Sequence, residues 1–174
     1  WFYPSSGSDE IDRYVLYNYI EDVWSIGTMV RTAWIEAHLE NNPIAAGKTG
    51  TDSNYLYNQE FGHDDDDSAM TAYIETGDFD IQDGNNFMLV SKVIPDIQFR
   101  DADSGNELDI SIKGRNYPSD SLSTLSTSSL TNSTQQAFVR CRSRQAVLRF
   151  ESSGSGYGWR LGHFRLDTRL DGRQ

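Results

Sequence analysis

The sequence contains a single cysteine, Cys141, so no disulfide can form within the chain. It contains no apolar run approaching the ~20 residues that a helical membrane span requires, and no membrane anchor is expected. The three histidines, His38, His63 and His163, are far apart and match no metal-ligand spacing, so neither a metal nor a cofactor is expected. Basic residues are scarce over most of the length. Residues 1–113 carry 6 Lys and Arg against 22 Asp and Glu, a net charge of -16. The chain opens on Trp1-Phe2-Tyr3-Pro4 with neither an initiator methionine nor a signal-like segment, which leads us to expect a cut piece or a processed product of something longer.

What is present is aromatic and hydroxyl-rich. Hydrophobic residues make up 37% of the 174 and aromatics 12%, enough to supply a core and to argue against wholesale disorder. Residues 114–174 reverse the charge balance, with 9 Lys and Arg against 4 Asp and Glu, so +5 sits beside -16 in a chain of -11. Such asymmetry suits unlike faces that meet, within the fold or between subunits. A nucleic-acid binder is usually basic overall, whereas the acidic part here would repel a phosphate backbone.

The pattern along the chain is β throughout. Arg13-Tyr14-Val15-Leu16-Tyr17-Asn18-Tyr19 is a β-branched and aromatic run, and Val23-Trp24-Ser25 starts a second strand after an Asn/Asp turn. Further short strands are expected around Ile44, Tyr55 and Leu89. Residues 28–41 suit either a helix or a strand, and a strand followed by a loop or one helical turn is the better fit. Leu108, Ile110 and Ile112 alternate with Asp109, Ser111 and Lys113. Val139 and Cys141 alternate with Arg140, Arg142 and Arg144, and Leu148 and Phe150 alternate with Arg149 and Glu151. Phe164, Leu166, Thr168 and Leu170 repeat the alternation. Between these strands, 11 of the 17 residues in 119–135 are Ser or Thr, a composition that predicts a mobile connector or a long exposed loop. The expected architecture is all-β: a propeller-like segment over 1–68, followed by a β-sandwich-like module over 69–174 with a Ser/Thr-rich loop at 119–135.

Two groups of short motifs resemble one known family. At the C-terminal end they are Val139-Arg140-Cys141-Arg142-Ser143-Arg144-Gln145, Leu148-Arg149-Phe150-Glu151-Ser152, Gly158-Trp159-Arg160-Leu161-Gly162, Arg165-Leu166-Asp167-Thr168-Arg169 and Asp171-Gly172-Arg173. At the N-terminal end they include Asp9-Glu10-Ile11-Asp12-Arg13-Tyr14, Tyr17-Asn18-Tyr19, Arg31-Thr32-Ala33-Trp34, Pro43-Ile44-Ala45-Ala46-Gly47 and Tyr55-Leu56-Tyr57-Asn58-Gln59-Glu60. Together they resemble the tail nozzle proteins of podoviruses, also called tail tubular protein B or phage stabilisation protein. The resemblance covers nearly all of the chain except the Ser/Thr stretch. It implies the C-terminal portion of a ring subunit, hexameric, located in the tail of the virion below the portal and adaptor rings. Such a ring extends the channel, retains packaged double-stranded DNA without sequence-specific binding, and carries the distal tail proteins.

Each chemically suggestive motif has a bland counterpart. Clustered carboxylates such as Asp64-Asp65-Asp66-Asp67 can hold Ca²⁺, but consecutive residues point in different directions and the spaced Ca²⁺-loop pattern is missing, so a solvated acidic loop is the better reading. Glu60, Glu75, Asp78 and Asp80 offer carboxylates for glycoside hydrolysis, the chemistry of a tail-associated glycan depolymerase; any acidic β protein offers as many, and no catalytic residue is assigned. A carbohydrate-binding module stacking sugars on Trp24, Trp34 or Trp159 is a further alternative. Cys141, on the apolar face of its strand, reads as a core residue. Gly154-Ser155-Gly156-Tyr157-Gly158 reads as a turn, since it lacks the residues of a phosphate loop. The arginines Arg140, Arg142, Arg144, Arg149, Arg160 and Arg165 are the candidate functional residues. Pairing with carboxylates of a neighbouring module or subunit suits them better than DNA phosphates, with cation–π contacts added around Trp159 and Arg165.

Overall fold

A computed structural model describes residues 1–37, 41–49, 53–100 and 107–173. Within them every regular element is a β-strand and every pairing is antiparallel. Their chain order is β1 (Phe2–Tyr3), β2 (Arg13–Asn18), β3 (Val23–Thr28), β4 (Ala33–Ile35), β5 (Ile44–Thr49), β6 (Ser53–Asn58), β7 (Ala72–Glu75), β8 (Met88–Ile94), β9 (Ile97–Arg100), β10 (Leu108–Arg115), β11 (Ser123–Leu130), β12 (Ala137–Ser143), β13 (Gln145–Ser152), β14 (Gly158–Leu161) and β15 (Arg165–Leu170). The all-β class expected from the alternation is therefore the class observed. In the ambiguous stretch 28–41, Ala33–Ile35 forms a strand, and residues 38–40, His38 among them, lie outside the described residues.

The chain divides into two compact units, Trp1–Phe61 and Gly62–Gln174. The division expected at 68/69 thus falls earlier. The acidic run belongs to the second unit because its first carboxylate, Asp64 Oδ1, accepts the Gly156 N–H at 2.7 Å, and Asp65 and Ser68 exchange backbone hydrogen bonds.

The first unit contains two three-stranded sheets, ordered β1-β2-β3 and β4-β5-β6. Its aromatic residues meet each other instead of filling an interior. Trp24 stacks on Tyr17 at 4.5 Å and on Trp1 at 5.7 Å, while Phe2 tilts against Trp34 at 5.4 Å. Ala45 is its one buried hydrophobic side chain among the described residues.

The second unit buries a true core. A four-stranded sheet, β11-β10-β13-β7, and a three-stranded sheet, β12-β8-β15, supply one cluster that includes Met88, Val90, Val93, Leu108, Ile110, Ile112, Cys141, Leu148 and Phe150. Period-2 alternation explains it, since successive side chains of a strand point to opposite faces. Thus β12 reads buried-exposed without a break from Ala137 to Ser143. A two-stranded ribbon, β14-β9, packs Phe99, Trp159 and Leu161 against the same cluster.

The Ser/Thr-rich stretch corrects the sequence expectation. Residues 123–130 are not a loop but strand β11, paired with β10 from Leu108↔Leu130 to Gly114↔Ser123. Backbone pairing needs no bulky side chain, threonine favours the extended conformation, and Leu130 anchors the far end in the core. The hydroxyls find local partners. Ser129 Oγ donates to Asp109 Oδ1 at 2.6 Å, and Ser126 Oγ accepts the Arg140 N–H at 3.4 Å. Gly114 permits the close approach, because a Cβ there would sit 2.6 Å from Leu125 Cδ1 and 2.8 Å from Ser143 Cβ.

Candidate functional site

The two sheets of the second unit share one interior, so their outer faces look in opposite directions. Pairing register assigns residues to each. On the three-stranded sheet, Lys92 of β8 lies between Phe138 of β12 and Asp167 of β15, Leu89 lies between Arg142 and Arg169, and Ile94 lies beside Arg165. The ladder is irregular at Ser91: Val139 and Arg140 of β12 sit opposite it, and on the β15 side Ser91 Oγ donates to the Asp167 carbonyl at 3.4 Å. The break in alternation falls on β8, which turns Val90 inward opposite Cys141, while β12 keeps its own alternation and leaves Arg140 outside.

This outer face therefore gathers Lys92, Arg140, Arg142, Arg165 and Arg169 against two carboxylates, Asp167 and Asp171. Arg142 is engaged within the chain, donating from Nε to Asp171 Oδ2 at 2.6 Å and lying 4.0 Å above the Phe87 ring. Lys92, Arg140, Arg165 and Arg169 form no ion pair among the described residues. Phe138 stands among them with 71% of its surface exposed.

The other candidate arginines are placed differently. Arg144 stacks on Phe87 at 5.0 Å and on Tyr117 at 5.7 Å, with its Nε buried and without a hydrogen-bond partner. Arg149 lies on the opposite sheet, where it donates to Glu151 at 2.8 Å and to Glu75 at 3.3 Å and covers the Tyr73 ring at 3.7 Å. Arg160 is exposed on the β14-β9 ribbon. The six candidates thus do not form one patch. Arg140, Arg142 and Arg165 come together, and Arg144, Arg149 and Arg160 stand apart from them.

The opposite face is acidic at one end and internally neutralised elsewhere. Lys113 Nζ donates to Glu75 at 2.6 Å, and Arg115 pairs with Asp78. The Lys113 ammonium, assisted by Arg149, holds the Glu75 carboxyl below its ordinary value, and Arg149 does the same for Glu151. Both carboxylates in turn raise the Arg149 pKa, Glu151 most. A glycosidase acid requires the reverse shift, a carboxyl kept protonated by burial or by a neighbouring anion. Asp80 lies by the turn at Gly84, and Glu60 belongs to the first unit.

At the end of the face, Glu107, Asp109, Glu151 and the 153–157 turn surround an open groove of about 380 Å³, with the Tyr157 hydroxyl donating to the Glu107 carbonyl at 2.6 Å. The hydrogen bond from Gly156 to Asp64 brings the acidic run to the same corner, where Asp65, Asp66 and Asp67 are exposed. Among the described residues, no group of three or more His, Cys, Asp or Glu is arranged to hold a metal ion.

Trp159 is committed inward, its Nε1 donating to Ser152 Oγ at 2.8 Å. Cys141 is fully buried, its thiol pushed up by burial and paired with Ser143 Oγ at 3.4 Å. Sequence reasoning missed Lys92 and Arg169. The β8–β15 pairing sets Lys92 beside the strand of Arg165 and Arg169, and the β8–β12 pairing sets it beside the strand of Arg140. No protein-family model matches this chain, and no curated protein was found to be similar to it.

Proposed function

We propose that this chain is part of a structural subunit of the tail nozzle ring of a short-tailed bacteriophage, a homo-oligomer that extends the DNA channel below the portal and adaptor and retains packaged DNA. In this reading the first unit belongs to a propeller-like module and the second is a β-sandwich platform. The role is architectural and the residues are not catalytic.

The observation that carries the proposal is the unfinished surface of the first unit. Ile20, Ile26, Leu56, Phe61 and Trp1 each leave more than 70% of their surface exposed within one small unit. Apolar surface on that scale marks an interaction site, and a ring subunit flanked by further modules and by its neighbours supplies the cover. The motif resemblance supports this reading, and the acidic surplus suits a conduit through which a phosphate backbone must slide without sticking.

The test is particle mass by mass photometry together with symmetry by electron microscopy at physiological salt. A closed ring with a central channel is the expected result. A monomer or trimer that hydrolyses bacterial glycan would overturn the proposal and identify a depolymerase.

A further inference from the structure

Resting on the ring reading, we infer that the basic outer face of β12-β8-β15 is a docking surface for a second copy of this chain, and that it receives the acidic corner formed by Asp65, Asp66, Asp67, Glu107 and Asp109. Charge complementarity carries the assignment. Lys92, Arg140, Arg165 and Arg169 share one sheet face and form no ion pair among the described residues. In a chain of net charge -11, four such cations on one face mark a surface set apart from the rest.

Lys113, Arg115 and Arg149 neutralise Glu75, Asp78 and Glu151, which leaves the corner carboxylates without an ion pair among the described residues. Asp109 and Glu151 pair across β10 and β13 with their side chains turned from the core, so the acidic corner lies on the side of the unit away from the basic face. One copy cannot bring its own two surfaces together, but two copies can.

A contact between opposite faces of identical chains is head-to-tail. It leaves one basic face and one acidic corner free at each step, and it generates a ring when the rotation closes. Phe138, exposed amid the cations, supplies the apolar centre that such a contact needs.

The experiment is sedimentation equilibrium of the chain between about 50 and about 500 mM salt, a range over which the screening length shortens severalfold. Self-association should weaken at least tenfold across it, on the order expected for several exposed pairs acting together. The triple variant Arg140→Glu, Arg165→Glu, Arg169→Glu should abolish association. So should Asp65→Lys, Glu107→Lys, Asp109→Lys, which avoids the left-handed positions Asp66 and Asp67. Mixing the two variants should restore association in alternating order, because each reversed surface then meets its complement. Circular dichroism of each variant alone checks that it folds, and restoration on mixing is an outcome that misfolded variants cannot give.

Association that ignores salt and both reversals, or variants that stay apart on mixing, would overturn the inference. So would a basic face whose reversal removes binding to a short DNA duplex while self-association is unchanged. If electron micrographs still show rings in those cases, the ring reading stands and only this contact falls. If no symmetric particle forms and glycan is hydrolysed, both fall.

Discussion

The two units of this chain solve the same problem to different degrees. Both are antiparallel β, and both are rich in large apolar side chains. The second unit sets two sheets over one interior, so Val90, Ile110, Leu148 and Phe150 are sealed from solvent. The first stacks its rings edge by edge, with Trp24 lying on Tyr17 and Trp1, yet Trp24 keeps 60% of its surface exposed. Composition is therefore a poor guide to independence. Among the described residues, what separates the units is that the second seals an interior between two sheets and the first buries only Ala45 among its hydrophobic side chains.

This contrast can be tested by mutation. The largest effect belongs to Phe150→Ala, which removes a fully buried ring and should cost about 3–5 kcal/mol, measured as a shift in the urea midpoint of the second unit at constant slope. Trp24→Ala in the first unit should cost only about 0.5–1.5 kcal/mol, since it removes stacking and little buried area. Equal costs for the two would collapse the distinction.

The smallest effect is electrostatic. Glu75 and Glu151 have folded-state pKa values below the ordinary 4.5, so their contribution is fully present above that value and is lost as pH falls through the folded-state values. Glu75→Gln should cost at most about 1 kcal/mol at neutral pH, because the pair with Lys113 is partly exposed. It should also flatten the decline of stability below pH 4.5, read from urea midpoints across the acid range. An unchanged slope would show that these pairs are spectators.

Much of the fold was legible wherever alternation was strict. β10 and β12 each announce their buried face in the order of residues, and Cys141 falls on the inward side as its neighbours require, whereas β13 buries Val147 together with Ala146 and Leu148. The stretch 119–135 was misread because its composition masks its register: serine and threonine advertise exposure, whereas the strand is held by its backbone and by Leu130. β9 and β14 have four residues each, too few to establish a period.

The candidate surface was half legible. The outward position of Arg140 and Arg165 follows from alternation. The capture of Arg149 by Glu75, 74 residues away, and the gathering of Lys92 with Arg169 depend on which strands become neighbours. Nothing local in the sequence encodes that choice.

The solitary thiol has a practical consequence. Cys141 lies at the centre of the second unit with no exposed surface, and burial disfavours its thiolate. A thiol reagent can reach it only when the two sheets part. The rate at which one sulfur is labelled is therefore a clock for that opening, with no competing cysteine to confuse the reading. The protein carries its own probe of how often its interior meets water.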